Sequence, residues 1–433
     1  MAVWARLALG ACLFVSALAP ARAADGVTEW TLLGDRFGGG YANWRSLAIM
    51  HRAMHDAANA VTPTYARWLP PTPNEPSGQG ANLEAAMAAA AHAVLVRLHP
   101  DRRAEADDLL VRALGRSPDG AGEEAGVKLG EAIGAAAVQD RATDGWHPSY
   151  RFPASNEPGR WRPTPPRFPV GYTTKSRPYL FGAVADVLAT MPPPPALGSP
   201  AYVRDAEEAR RLGGMVNSAR TPEQTGAAVF WAFQSSQRGF MRQGVDLLDE
   251  FPRPGGLVEH AQVMSRLASA MADSAVLVWA AKEHFDVWRP ITLFNLGHGS
   301  IAADPGWQSV IETPGFPEYP SGHATDCFVG SMVLQGTLPD MHEPIVYTGL
   351  GADDTGGGAT GEATSLPSMG QHSQGNPTGR NLRGFPSLAA AARECAESRL
   401  WAGAHFRFSN VEAERLGGTI AQRALAAVPL LKR

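Results

Sequence analysis

Along most of this chain the apolar residues recur at the three- and four-residue spacing of helix faces, and no run alternates convincingly as a half-buried strand would. The faces are rich in alanine, and this periodicity predicts an all-α fold. Helices are expected over 42–60, with Met54, Ala57 and Ala58 on one face, and over 83–98, capped by Asn82 and stopped by Pro100. Two more are expected over 102–116 and 121–143. Thr221-Pro222-Glu223-Gln224 is a start signal: Thr caps, Pro suits the first helical position, and Gln returns the capping-box bond. The helix it starts would carry Phe230, Trp231 and Phe233 inward. Proline-dense patches at Pro163–Pro169 and Met191–Pro195 cannot be helix interior, so 150–200 reads as a connection crossing between two helical bundles. A second irregular stretch, Gly349–Arg383, reads as a surface loop, either overhanging an active site or an insertion without function.

The N-terminus sets the compartment. Arg6 precedes an apolar run from Leu7 to Ala19, and Ala21-Arg22-Ala23 offers small residues at the cleavage positions. This is the pattern of a signal peptide over 1–23, which places the mature chain in the periplasm or outside the cell. The run is shorter than the ~20 residues a membrane helix needs, and no other stretch is expected to span. Residues 24–433 then form one large domain, with N-terminal helices over 24–198 and catalytic helices over 199–433. The net charge of −4, without a basic run, argues against nucleic acid and anionic membranes and for a small molecule or anion. Cys12 leaves with the signal peptide, and the remaining Cys327 and Cys395 are too few for a disulfide scaffold, a zinc framework or a haem attachment sequence.

The chemistry concentrates after residue 258. A helix expected over Val258–Arg289 would carry Lys282 and Arg289, seven residues apart, on one face. Such a pair usually marks a solvated face, but Val276, Leu277, Trp279, Phe285, Val287 and Trp288 surround these two with apolar bulk. Buried cations require an anion. Next, Phe316-Pro317-Glu318-Tyr319-Pro320-Ser321-Gly322-His323 opens a helix that runs through Phe328 and Met332. Its free N–H groups and positive dipole end make Ser321-Gly322 an oxyanion cradle, with His323 in the first turn placed to exchange protons. Taken alone, it reads equally as a serine cap and an ordinary histidine. Last, Ser398-Arg399-Leu400-Trp401-Ala402-Gly403-Ala404-His405 lies on or after a helix started by Ser387, and supplies another guanidinium and a second histidine among small residues. Each fragment is weak alone; their ordered combination is not.

Lys282…Arg289-Pro290, Pro320-Ser321-Gly322-His323 and Ser398-Arg399…His405 resemble the three-part signature shared by vanadium-dependent haloperoxidases and type 2 phosphatidic acid phosphatases. Met54–Ala60, Arg220–Thr225 and Ala272–Ala275 are similar to segments of the soluble bacterial haloperoxidase-like branch. The resemblance implies two helical bundles and, as cofactor, vanadate. It implies that Lys282, Arg289, Arg399, Ser321 and the Gly322 amide bind the equatorial oxygens. His405 would be the axial group on vanadium, and His323 the acid–base residue. Hydrogen peroxide and halide would be the substrates, with Lys282 polarising the peroxide and vanadium acting as a Lewis acid. Trp279 and Phe316 look similar to aromatics that line the halide pocket in chloride-oxidising members; plain core packing is the competing reading.

The same residues would serve an acid phosphatase acting on a phosphomonoester, with His405 forming a phosphohistidine. A secreted oxyanion-binding protein is a third reading, but it gives the two histidines no task. Because His323 and Arg399 must reach one anion, their helices should be neighbours. Cys327 and Cys395, one turn from each, would then form a disulfide or remain buried thiols. His51 and His55 have a metal-ligand spacing without a third ligand, which favours a structural role. His284, His298, His342 and His372 have no motif context. Asp273, nine residues before Lys282, is expected either to orient a site cation or to add ordinary helix polarity. The sequence does not fix the oligomeric state.

Overall fold

The computed structural model describes residues 25–37, 41–146, 152–164, 175–233, 236–251, 253–338, 344–348 and 382–431. The expected signal peptide, most of the 349–383 loop, His342 and His372 fall outside these. Among the described residues the first five helices are α1 (Gly26–Arg36), α2 (Tyr41–Val61), α3 (Leu83–Leu98), α4 (Arg103–Leu114) and α5 (Ala121–Asp140). A short α6 (Val184–Leu188) interrupts the connection. The remainder are α7 (Pro200–Gly213), α8 (Pro222–Phe233), α9 (Ser236–Glu250), α10 (Gly256–Phe285), α11 (Pro290–Leu296), α12 (Gly322–Thr337), α13 (Leu388–Trp401) and α14 (Arg407–Ala426).

Local sequence explains most boundaries. Asn82 accepts the Ala85 N–H at 2.9 Å, and His99 and Pro100 end α3. At α8 the capping box closes both ways, Thr221 N–H to Gln224 Oε1 at 2.9 Å and Gln224 N–H to Thr221 Oγ at 3.2 Å. Phe230 and Trp231 are buried as expected, whereas the Phe233 side chain lies outside the described residues. Helix α4 begins after a 3-10 turn at Pro100–Arg102, and α5 stops at Asp140 rather than 143.

Helices α2, α3 and α5 pack as the first bundle, and α12, α13 and α14 with α8 and α9 as the second. Helix α10 touches both, lying against α2 on one side and α12 and α14 on the other. One apolar core runs through both bundles, from Val27 to Ala424. The α3–α5 contact depends on small residues. Gly126, Gly130 and Gly134 recur one turn apart, and a Cβ on Gly130 would stand 2.2 Å from the Ala86 carbonyl oxygen.

Three expectations need correction. A two-stranded antiparallel sheet, β1 (Ile345–Thr348) with β2 (Leu382–Phe385), pairs Ile345 with Phe385 and Thr348 with Leu382. Leu382 and Arg383 are therefore strand, not loop, and Arg383 is held by Glu394 and Glu223. Second, α10 is long and apolar enough to cross a membrane by length and composition, contrary to the expectation that no stretch beyond the N-terminus would be. It is buried nearly throughout, and a central core helix has this all-round apolar pattern. Third, α10 ends at Phe285, with Asp286 left-handed at φ 51° and its N–H on the Lys282 carbonyl. Arg289 is thus off the helix that carries Lys282.

Candidate active site

Four chain segments converge where α10 ends. Residues 286–288 run between two other stretches: Trp161 N–H reaches Asp286 O, Trp288 N–H reaches Gly159 O, and Glu318 N–H reaches Val287 O. Pro290 then starts α11 at its first position, with Arg289 as the preceding cap residue. Although Lys282 and Arg289 do not share a helix face, this turn brings both into one site. Both are completely buried.

Lys282 is the anchor of the 316–321 segment. Its ammonium donates to the carbonyls of Pro317 at 3.0 Å, Glu318 at 2.9 Å and Pro320 at 2.6 Å. An ammonium has three N–H donors, so direct contact with an oxyanion requires one of them to be redirected. Arg289 donates from Nε to Phe316 O at 2.9 Å and from Nη1 to Ala404 O at 2.8 Å. Arg399 lies in the last turn of α13, 1% exposed. Ser321 caps α12, and its buried Oγ has no hydrogen-bond partner among the described residues. Gly322 is the first residue of α12. The one atom near a Cβ built there is Val278 Cγ1 at 3.4 Å, so neighbouring packing does not by itself demand glycine. His323, half-buried, follows in the same turn.

His405 is carried by the turn that follows α13. Gly403 makes this turn possible: its φ is +73°, and a Cβ would strike Gly213 O at 2.4 Å. The His405 ring is buried between Glu318 Oε1, 2.8 Å from Nδ1, and Arg289 Nη1, 3.1 Å from Nε2. Burial pushes the His405 pKa well below its ordinary value, and Arg289, Lys282, Arg399 and His323 push the same way. The ring is therefore neutral near pH 7 and offers a lone pair. Burial, then Arg289, also lowers Lys282, against Glu318 and Asp326, which raise it. Burial raises Glu318, while Ser409, Arg289, the Phe406 N–H and Lys282 pull it back.

The aromatic pair completes one wall. Trp279 and Phe316 meet edge to face with centroids 4.6 Å apart, and the Phe316 ring lies 5.3 Å from Lys282 Nζ and 4.9 Å from Arg289 Cζ. Phe152, from the long connection, stacks on Trp279 at 5.9 Å and extends this wall. Cys327 and Cys395 form a disulfide that joins α12 to α13, with Cα atoms 6.5 Å apart.

Residue by residue, the structure brings Lys282, Arg289, Ser321, Gly322, His323, Arg399, His405, Trp279 and Phe316 to one locality. Asp273 is not among them: it accepts the Tyr179 and Leu180 N–H groups at 2.6 and 2.7 Å, tying the connection to α10. The carboxylate that enters the site is Glu318, which sequence reasoning quoted within its motif without giving it a role. The available signal was an acid enclosed by prolines and aromatics just before a helix start. His51 bonds to Thr31, and His55 to Asp56 and Asn59; among the described residues no group of acids, histidines and cysteines could hold a metal ion by itself.

These residues fit a tetrahedral oxyanion. Three buried cations, Lys282, Arg289 and Arg399, lie around the Glu318 carboxyl, Ser321 Oγ is a buried hydroxyl without a partner among the described residues, and His405 Nε2 supplies a lone pair. Comparison with known proteins shows what the chain is similar to. Residues 262–431 match the family model of the VCPO second helical-bundle domain. The chain is 26% identical over 355 residues to the vanadium chloroperoxidase of Curvularia inaequalis, a match covering 65% of this chain and 58% of the relative. It thus spans less than two thirds of that relative's length. In fold it is similar to a bacterial vanadium-dependent iodoperoxidase, with TM-score 0.73, 21% identity, and 94% and 95% of the two chains covered. It also resembles a holo-type bacterial vanadium-dependent chloroperoxidase, with TM-score 0.65, 19% identity, and 94% and 93% covered. The chain thus matches the VCPO second helical-bundle model over residues 262–431 and shares the helical fold of bacterial vanadium-dependent haloperoxidases.

Proposed function

We propose that this protein is a vanadium-dependent haloperoxidase, exported to the periplasm or secreted, that oxidises halide with hydrogen peroxide to hypohalous acid. The observation that carries this reading is the buried His405 ring, with Nδ1 2.8 Å from Glu318 Oε1 and Nε2 3.1 Å from Arg289 Nη1, in the pocket that also buries Lys282 and Arg399. Vanadate bound there supplies a Lewis acid that activates hydrogen peroxide for attack by halide. Arg289, Arg399 and Ser321, with the amides at the start of α12, would hold its oxygens, and Lys282 would join them by giving up a carbonyl. His405 would offer its Nε2 lone pair as a ligand to the vanadium. His323, less buried than its partners, would exchange protons with the bound group. Trp279, Phe316 and Phe152 keep water from the halide side. The Cys327–Cys395 bond supports an oxidising compartment.

The competing reading is a phosphatase in which His405 attacks phosphorus, and one experiment separates the two. The mature protein, stripped of vanadium and then reloaded with orthovanadate, is assayed in both states for peroxide-dependent bromide or iodide oxidation and for phosphomonoester hydrolysis. Halide oxidation that appears only after loading is the expected result. Hydrolysis that vanadate merely inhibits would reassign the protein to the phosphatases. Vanadium retained after dialysis should fall to background in His405→Ala; undiminished metal in that variant would reject the axial role.

A further inference from the structure

We infer that Glu318 is a positioning residue for His405: its carboxylate fixes the imidazole as the Nδ1–H tautomer and aims the Nε2 lone pair into the pocket of cations. Glu318 has no exposed surface, and two donors and the His405 ring converge on it. His405 Nδ1 stands 2.8 Å and the Phe406 N–H 3.0 Å from Oε1, while Ser409 Oγ donates to Oε2 at 2.6 Å. Oε1 already accepts the Phe406 N–H and Oε2 the Ser409 hydroxyl, so the carboxyl acts as an acceptor towards the ring and the ring proton sits on Nδ1. The opposite edge of the ring requires the same arrangement. Arg289 Nη1 lies 3.1 Å from Nε2, and a guanidinium only donates, so Nε2 must accept.

The main chain of Glu318 is fixed as firmly as its side chain. Its N–H bonds to Val287 O, and its carbonyl accepts from Lys282. One residue thereby ties the histidine to Lys282 and to the turn that leads into Arg289. Without the acceptor, Nδ1–H would be buried with no partner. The ring could then flip or change tautomer, which would turn an N–H towards the Arg289 donor and remove the lone pair.

The inference rests on the proposed function only in its choice of vanadate as probe. Its test is therefore made first on vanadium-free protein. Long-range nitrogen–proton NMR of the histidine rings at pH 8, with His405 identified by its loss in His405→Ala, reads the tautomer directly. Wild type should show the Nδ1–H form; an Nε2–H form or an imidazolium would overturn the inference without any Glu318 variant. Glu318→Gln, which can keep an oxygen at the Oε1 position, should preserve the tautomer. Glu318→Leu should lose it and weaken vanadate binding about 10–100-fold, the usual cost of removing a residue that orients a metal ligand. A folded Glu318→Leu protein with an unchanged tautomer and unchanged vanadate Kd would also overturn it. Wild type that shows the Nδ1–H form yet fails to bind vanadate would uphold the positioning role and sink the haloperoxidase reading.

Discussion

At the residue scale the site joins two demands that usually oppose each other, complete burial and multiple positive charge. Lys282 and Arg289 are tolerable inside the fold because backbone carbonyls and Glu318 surround them, and their remaining excess charge suits an anion. The aromatic wall is the residue-scale feature with the clearest consequence for specificity. Phe316 lies over both cations and edge-on to Trp279, where a partly desolvated halide could approach. Chloride is more strongly hydrated and harder to oxidise than bromide or iodide, so its use should depend most on that enclosure. If wild type oxidises chloride, Phe316→His should depress chloride oxidation more than the other two while vanadate binding stays nearly intact. Halide-resolved rates recorded beside thermal unfolding decide this: an equal loss for all halides with a lowered midpoint would mean that Phe316 is only core.

At the scale of elements, the first bundle owes its closeness to glycine. On α5, Gly130 approaches α3 so tightly that a Cβ would contact Ala86 O at 2.2 Å and Ala89 Cβ at 2.8 Å. Backbone cannot yield as a side-chain end can. Gly130→Ala should gain about 1 kcal/mol of helix propensity but lose about 1–3 kcal/mol to overpacking, for a net destabilisation. Gly226, on the exposed face of α8, has nothing within 4 Å of a built Cβ, so Gly226→Ala should stabilise by about 1 kcal/mol at most. Urea titration of both variants measures the difference; two changes of the same sign would show that the α3–α5 contact is not limited by glycine.

For the whole molecule, buried neutral histidines set the response to acid. His51 is fully buried against Thr31, and burial lowers its pKa to about 3. The unfolded chain takes up its proton near the ordinary value of 6.5 while the folded chain does not, so stability falls as pH drops from there towards 3. The slope from one such group is at most about 1.4 kcal/mol per pH unit. Asp273, raised by burial to about 6, acts oppositely: the folded state holds its proton better, so its contribution falls as pH rises from about 4 to 6. His51→Gln, which can keep a bond to Thr31, should flatten the acid limb of a stability–pH curve measured by urea unfolding. An unchanged slope would mean that His51 is already protonated in the folded state.

The sequence by itself determined the helices with complete local signals, such as α3 between Asn82 and Pro100 and α8 with its capping box, because those instructions act within a few residues. It also singled out residues that the fold brings together, since Lys282, Arg289, Ser321, Arg399 and His405 lie in short ordered fragments. Only the tertiary structure decided how they meet. The left-handed turn at Asp286 took Arg289 off the Lys282 helix, and that turn is held by Gly159, Trp161 and Glu318 from distant stretches. The assignment of carboxylates was decided the same way: Asp273 ties down the connection and Glu318 holds His405, a division no spacing encodes. Phe152 joined the aromatic wall, and Cys327 met Cys395, because α10, α12 and α13 pack around one buried charge cluster. Periodicity and capping are local properties of a chain, whereas the pairing of buried charges depends on which segments the core brings within hydrogen-bond distance.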